Sequence, residues 1–198
     1  MGGDRESLPK PWRLFVAADV PESVRSGLDH DLERMRATHP ELRWSPLENW
    51  HVTLKFLGAV WPPQVEEARS AIGVVAAETD RFDTRLLGAD AFPSARRARV
   101  LWIGMSDPQE RFPALAGALD EALGRIVKPE ERRFTPHLTV ARAKHPVALV
   151  EELHAVAGIR SETFPVDHVT LYRSHLRRPA PLYERVETFP LGSRRRGR

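Results

Sequence analysis

Cysteine is absent from this 198-residue chain, and lysine is scarce. Without cysteine the protein has neither a disulfide framework nor a thiol nucleophile, so a catalytic site must be built from other groups. Lysine and arginine together number 30, yet the only lysines are Lys10, Lys55, Lys128 and Lys144. The cationic side chains are therefore almost all arginine, which makes bidentate contacts with phosphate.

Long apolar segments are missing as well. No run approaches the ~18 residues that predict a membrane span, and residues 1–7 lack the apolar core of a signal peptide. Hydrophobic residues at 41% and charged residues at 29% are ordinary for a globular protein. We therefore expect a cytoplasmic protein and, since no oligomerisation signal is present, a monomer.

The arginines occur in clusters, although the net charge is only +3. Clusters of this kind fit a nucleic-acid surface, but they also fit a general preference for arginine in the genome, and charge alone does not distinguish the two. They lie at Arg96, Arg97 and Arg99, at Arg132 and Arg133, and at Arg177 and Arg178.

The pattern of apolar residues predicts a duplicated β-α-β-α-β unit. In each half an apolar strand is followed by a helix with one apolar face, a second strand, a second helix and a third strand. The apolar faces of the two first helices are Val24, Leu28, Leu32 and Met35, and Phe112, Leu115, Leu119 and Leu123.

These elements predict an α+β fold of two pseudo-symmetric lobes, with mainly antiparallel sheets that line a central cleft. Short connections suited to hairpins join residues 82–92 to 99–103 and 169–173 to 183–189. We expect one bilobal domain over residues 12–191, with an N-terminal tail at 1–11 and a basic tail at 192–198. The order of the strands cannot be predicted.

The second strand of each half carries a His-x-Thr motif. His51 lies 37 residues after Leu14, and His137 lies 37 residues after Val100, so the motifs occupy matching places. Residues i and i+2 of a strand share a face, so each strand presents an imidazole together with the hydroxyl of Thr53 or Thr139. The matched spacing predicts that two histidines and two threonines surround one small group.

Two facing histidines suit in-line displacement at phosphorus. One imidazole can accept a proton from the attacking oxygen while the other donates a proton to the departing oxygen. The hydroxyls of Thr53 and Thr139 can donate to the non-bridging oxygens. This scheme requires no divalent cation, and we expect neither a metal nor a cofactor.

A third His-x-Thr motif begins at His168, 31 residues after His137, on the third strand of its half. The corresponding strand of the first half, near Leu86 and Leu87, carries no histidine. We therefore predict that His168 is a strand histidine outside the catalytic pair.

The chain resembles the 2H phosphoesterase superfamily, and within it the RNA 2′,3′-cyclic phosphodiesterases once called 2′–5′ RNA ligases. The similarity covers about residues 12–191 and is most specific in Trp-Ser-Pro-Leu-Glu-Asn-Trp-His-Val-Thr-Leu-Lys-Phe-Leu-Gly at 44–58 and Phe-Thr-Pro-His-Leu-Thr-Val-Ala-Arg at 134–142. Shorter matches lie at 13–17, 91–94, 99–104 and 171–174.

The resemblance implies that water opens the 2′,3′-cyclic phosphate of an RNA 3′ end, such as a tRNA fragment, and leaves a 2′-phosphate. It also implies a weak reverse reaction that forms a 2′–5′ linkage. His51 would be the proton donor, His137 the proton acceptor and Arg142 a phosphate contact. The chemistry of a near-symmetric pair does not by itself assign the acid and the base.

Two positions near the first motif break the symmetry or the family pattern. Phe56 occupies the position that Arg142 occupies in the second half. We expect Phe56 in the core, with stacking on a base as the alternative. Trp50 replaces the more usual aliphatic residue before His51, and the sequence gives no reason for it.

Three other functions remain open on the sequence alone. A related enzyme could act on a small cyclic nucleotide or a 2′–5′ oligonucleotide. A module that binds RNA without catalysis would keep the same cleft. A histidine metal site could include His168 or His145.

Overall fold

A computed structural model describes residues 10–192, which contain ten strands and four α-helices. The strands are β1 Trp12–Asp19, β2 Leu42–Trp44, β3 His51–Val60, β4 Phe82–Thr84, β5 Leu86–Phe92, β6 Ala98–Met105, β7 His137–Val147, β8 Phe164–Val166, β9 His168–His175 and β10 Leu182–Pro190. The helices are α1 Glu22–Thr38, α2 Pro62–Glu78, α3 Arg111–Ala122 and α4 Val150–Ala155. Most of the predicted tails, residues 1–9 and 193–198, lies outside the described residues.

The predicted apolar faces of the first helix in each half are confirmed. All four predicted positions of α1 are buried, and so are the four predicted for α3, including Leu123 just beyond its end. Asp107, which precedes α3, accepts the backbone N–H groups of Arg111 at 2.8 Å and Phe112 at 2.9 Å through its carboxylate. Amides of a first helical turn have no partner within the helix, so this contact stabilises the start of α3.

The main sheet has eight strands in the order β10-β9-β1-β3-β7-β6-β5, with β2 added beside β7. Its pairings are antiparallel, as predicted, and both predicted hairpins, β5–β6 and β9–β10, are present. A small second sheet pairs β4 with β8.

The two halves of the sequence exchange their third strands. β5 belongs to the first half but pairs with β6, and β9 belongs to the second half but pairs with β1. One lobe of the sheet therefore contains β1, β3, β9 and β10, and the other contains β2, β5, β6 and β7. This exchange brings residues of β9 beside the end of β1.

The second strands alternate as the His-x-Thr pattern predicts. Val52 and Leu138 are at most 1% exposed and belong to the hydrophobic core, whereas the histidine and threonine on either side of each are partly exposed. Each strand thus anchors its motif through the core and presents the polar pair on the opposite face.

Lys55 fixes β3 to its surroundings. Its ammonium group is paired with Asp120 of α3 and donates to the Lys128 carbonyl at 3.1 Å. The Asp120 carboxylate also accepts the Glu130 amide at 3.1 Å. The pair therefore connects β3, α3 and the segment that leads into β7.

Within residues 10–192, no helix combines the length and the apolar character needed to cross a membrane.

Candidate active site

The two His-x-Thr motifs meet where the lobes join. β3 and β7 are paired through Val52 and Leu138, the central residues of the two motifs. Because the strands are antiparallel, His51 is on the same side of this pair as Thr139, and His137 is on the same side as Thr53. All four polar residues line one cleft of about 670 Å³. A second cavity of about 530 Å³, between β4 and the start of α3, is lined by neither histidine.

The His51 ring is enclosed by aromatic side chains. It stacks on Phe15 with 4.8 Å between ring centroids and meets the edge of Tyr183 at 5.4 Å. Its Nε2 lies 3.0 Å from the Thr53 hydroxyl. Burial lowers the pKa of His51 to about 4, although a backbone hydrogen bond at Asn49 acts in the opposite direction. The imidazole is therefore neutral near pH 7 in the free protein.

The His137 ring has a defined tautomer. Its Nδ1 lies 2.8 Å from the Thr135 carbonyl oxygen, and because a carbonyl only accepts, Nδ1 carries the proton. The lone pair of the neutral ring is consequently on Nε2. Burial lowers the pKa of His137, and the positive charge of Arg142 lowers it further, against the effect of the Thr135 hydrogen bond.

The surroundings of the two histidines differ although the motifs match. Phe92 and Trp102 flank His137 at centroid distances of 5.3 and 5.9 Å. These two rings, like Phe15 and Tyr183 around His51, could not be predicted from the sequence, because the four rings lie on four different strands. No fixed spacing along the chain relates them to the motifs.

Arginines line the cleft. Arg142, predicted as a phosphate contact, is there, and its cross-strand partner on β2 is Arg43. Arg13 and Arg99 complete the set, and no acidic side chain belongs to the described residues that line the cleft. Of the predicted arginine clusters, only Arg99 contributes to this lining.

The prediction that Phe56 lies in the core was wrong. Its side chain is 64% exposed and lines the cleft. The reason is a bulge: β1 pairs Val16 with Lys55 and Ala17 with Thr53, which leaves Leu54 as an extra residue and inverts the alternation after it. Lys55 turns inward, and Phe56 turns outward.

The same bulge occurs in β7. β6 pairs Leu101 with Ala141 and Trp102 with Thr139, so Val140 is the extra residue and Arg142 turns toward the cleft. Phe56 and Arg142 are therefore structurally equivalent, and the duplicated bulges place both beside the histidines.

Trp50 now has a structural explanation. Its side chain is 2% exposed, and its indole N–H donates to the Ser45 carbonyl at 3.0 Å. The indole thus closes the short segment that precedes His51, which fixes where β3 begins.

His168 lies outside the cleft lining, and both its ring nitrogens contact carboxylates: Nε2 is 3.0 Å from Asp19 and Nδ1 is 2.6 Å from Asp167. In the part of the chain that the structure describes, no group of three or more His, Asp or Glu side chains could hold a metal ion.

Residues 23–178 match the 2′-5′ RNA ligase superfamily. The chain belongs to this superfamily. Its relatives include the RNA 2′,3′-cyclic phosphodiesterase of Methanothermobacter thermautotrophicus, which is 30% identical over 182 residues, covering 90% of this chain and 98% of the relative. The enzyme of the same name from Thermus thermophilus is 31% identical over 189 residues, covering 90% of each.

Solved structures with a similar fold include two that are more than 25% identical to this chain. A protein from Thermus thermophilus superimposes with a TM-score of 0.79 at 26% identity, covering 92% of this chain and 99% of that one. E. coli LigT complexed with 3′-AMP gives a TM-score of 0.73 at 27% identity, covering 91% and 98%. These matches confirm the family and the fold class expected from the sequence.

Proposed function

We propose that this protein hydrolyses the 2′,3′-cyclic phosphate at the 3′ end of RNA and leaves a 2′-phosphate and a 3′-hydroxyl. The observation that carries the proposal is the meeting of two His-x-Thr motifs at the Val52–Leu138 pair, inside one cleft. The names of the relatives from Methanothermobacter thermautotrophicus and Thermus thermophilus support the same reaction.

His137 is the base in this proposal. Its Nδ1 proton is engaged with the Thr135 carbonyl, so the Nε2 lone pair is available to take a proton from water. The lowered pKa keeps the ring neutral near pH 7, which a base requires. The water oxygen then forms the new bond to phosphorus.

His51 is the acid. As the P–O3′ bond breaks, the proton of the His51 imidazolium passes to the departing 3′ oxygen. The ring is neutral in the free protein, but an anionic phosphate beside it favours the charged form, and so does the nearby charge of Asp19. Substrate binding thus charges the acid, and proton exchange with solvent restores both rings after the reaction.

The remaining polar groups stabilise the phosphate. The hydroxyls of Thr53 and Thr139 donate to its non-bridging oxygens, and Arg142 offsets the charge that develops there. The scheme requires no divalent cation. When the 5′-hydroxyl of a second RNA replaces water, the same groups in the same roles also permit a weak ligation: O5′ bonds to phosphorus, the P–O3′ bond breaks, and a 2′–5′ linkage forms.

An RNA substrate fits the cleft better than a mononucleotide does. Four arginines, Arg13, Arg43, Arg99 and Arg142, line a single cleft without an opposing acidic group among the described lining residues. A cyclic mononucleotide offers one phosphate, whereas an RNA strand offers one for each nucleotide. All the residues of the site come from one chain, so we propose that a monomer is active.

The test is product analysis with an end-labelled RNA that carries a 2′,3′-cyclic phosphate, in the presence of a chelator. We expect a 2′-phosphate product, and we expect His51→Ala and His137→Ala each to lower the rate by ~10²–10⁴-fold. His145→Ala is the matched control, because this exposed histidine lies on the same strand as His137.

Each alternative function predicts a different result. A double variant His51→Ala/His137→Ala that turns over at the wild-type rate contradicts the proposal. RNA binding without turnover by the wild type indicates a binding module. An equal kcat/KM on a cyclic mononucleotide indicates a small-nucleotide enzyme.

A further inference from the structure

Asp19, at the end of β1, accepts hydrogen bonds from three side chains and forms an ion pair with a fourth. His168 Nε2 at 3.0 Å, Thr170 Oγ1 at 3.1 Å and the Arg185 guanidinium at 3.0 Å contact Oδ2, and the Tyr172 hydroxyl donates to Oδ1 at 2.6 Å. We call these five residues the Asp19 network. Its donors satisfy a carboxylate whose side chain is only 18% exposed.

The third His-x-Thr motif builds this network. His168, Thr170 and Tyr172 are alternate residues of β9 and share one face of the strand. The pairing of Ala17 with Thr170 brings that face to the end of β1. The network therefore exists because β9, from the second half of the chain, pairs with β1 from the first.

The Asp19 carboxylate carries a permanent negative charge. Burial alone would raise the pKa of Asp19, but the hydrogen bonds of His168 and Tyr172, with the charge of Arg185, hold it at about 2. The hydrogen bond to Asp19 in turn raises the pKa of His168. Asp19 is thus fully ionised in the pH range where an imidazole titrates.

The network reaches His51 directly. Asp19 is the cross-strand partner of His51 in the β1–β3 pairing. The Tyr172 ring lies nearly parallel to Phe15 at 5.2 Å, and Phe15 lies nearly parallel to His51 at 4.8 Å. Asp19 therefore holds the hydroxyl of Tyr172, and the centroid of the Tyr172 ring lies 6.0 Å from that of the His51 ring.

The other histidine has no counterpart of Asp19. The cross-strand partner of His137 is Gly104. A Cβ atom at this glycine would lie 2.6 Å from the Leu87 carbonyl oxygen, so the backbone leaves no space for a side chain. At the cross-strand position, His51 therefore faces a carboxylate and His137 faces a glycine, so the two histidines differ in their surrounding charge.

We propose that Asp19 is a positioning residue for the reaction: through Tyr172 and Phe15 it fixes the His51 ring, and its negative charge favours the protonated form of that ring when substrate is bound. This inference rests on the proposed function. It also gives the third His-x-Thr motif a role, because that motif binds a carboxylate of the protein rather than the phosphate of the substrate.

Asp19→Asn is the test variant, since it keeps the shape of the side chain and removes its charge. We expect kcat to fall by about 10²-fold, the loss that a small misplacement of a reacting group causes, with little change in KM. The alkaline limb of the kcat profile should move to lower pH. Glu187→Gln is the control, because Glu187 is a carboxylate of β10 that pairs with Arg69 of α2.

His168→Gln provides a second test of the shift in the alkaline limb of the kcat profile. Glutamine can still donate to Asp19 but carries no positive charge, so the alkaline limb should move to higher pH. The titratable and charged groups around His51 are Asp19 on β1, His168 and Tyr172 on β9, Tyr183 and Arg185 on β10, and His137 and Arg142 on β7.

A measurement without substrate separates this inference from the proposed function. In the free protein, NMR should show the His51 ring protons shifted by the neighbouring aromatic rings, and Asp19→Asn should reduce that shift. Unchanged His51 ring shifts, or an unchanged kcat and pH profile combined with a loss of stability alone, would overturn the positioning role. An inactive wild type would refute the proposed function and leave the NMR comparison as the deciding result.

Discussion

Replacing Lys55 by methionine removes the one buried ammonium group of β3 within the described residues. The Lys55 side chain is 4% exposed, and its charge is paired with Asp120 while it also donates to the Lys128 carbonyl. Methionine keeps the unbranched stem but leaves the Asp120 carboxylate and the carbonyl without their cation.

The structure sets the size of the expected effect. Removal of one partner from a buried ion pair costs ~3–5 kcal/mol because the other charge stays behind uncompensated. Asp120 is 22% exposed and keeps the amide of Glu130, so solvent and this hydrogen bond offset part of the loss. We therefore expect the free energy of unfolding to fall by ~2–4 kcal/mol.

Urea unfolding at neutral pH measures this loss. Lys144→Met is the control, since this lysine of β7 is exposed and its replacement should change stability by at most ~0.5 kcal/mol. In the double variant Lys55→Met/Asp120→Asn the two losses should not add, because the carboxylate charge is gone as well. If Lys55→Met is as stable as the Lys144→Met control, the pair gives no net stability and the reasoning fails.

Three further predictions concern the cleft and the neighbouring Asp19. The kcat/KM profile should be bell-shaped with both limbs below pH 6.5, since burial lowers the pKa of His51 to about 4 and also lowers that of His137; a maximum above pH 6.5 contradicts this. Phe56→Ala should weaken RNA binding by ~1–3 kcal/mol through loss of base stacking. Val74→Ala, which changes another exposed apolar residue, should leave RNA binding unchanged. If Phe56→Ala weakens the binding of a cyclic mononucleotide equally, Phe56 does not stack on a second base. The pKa of Asp19 is lowered from 3.8 to about 2, so its ionisation stabilises the fold by ~2 kcal/mol above pH 3.8, and this stabilisation is lost as the pH falls toward 2. Asp19→Asn should therefore remove this part of the loss of stability in acid, which unfolding monitored by circular dichroism measures.

Much of this protein is determined by local pattern. The apolar faces of α1 and α3 follow from the 3.6-residue period of a helix, and the shared face of each histidine and threonine follows from the two-residue period of a strand. The equal 37-residue spacing of His51 and His137 within their halves can be counted directly from the sequence. Together with the short connections between strands, these patterns sufficed to predict the duplication, the antiparallel hairpins and the meeting of the two motifs.

Tertiary structure alone decided the exchange of β5 and β9 and the place of Phe56. A bulge at Leu54 inverts the alternation of β3, and it becomes visible only in the register against β1. The contact between Asp19 and Thr170 joins residues 151 positions apart. Pairing across such a distance depends on the packing of the whole sheet and produces no periodic pattern in the sequence. Asp19, which distinguishes the surroundings of His51 from those of His137, could therefore not be predicted from the repeat that makes the two motifs alike.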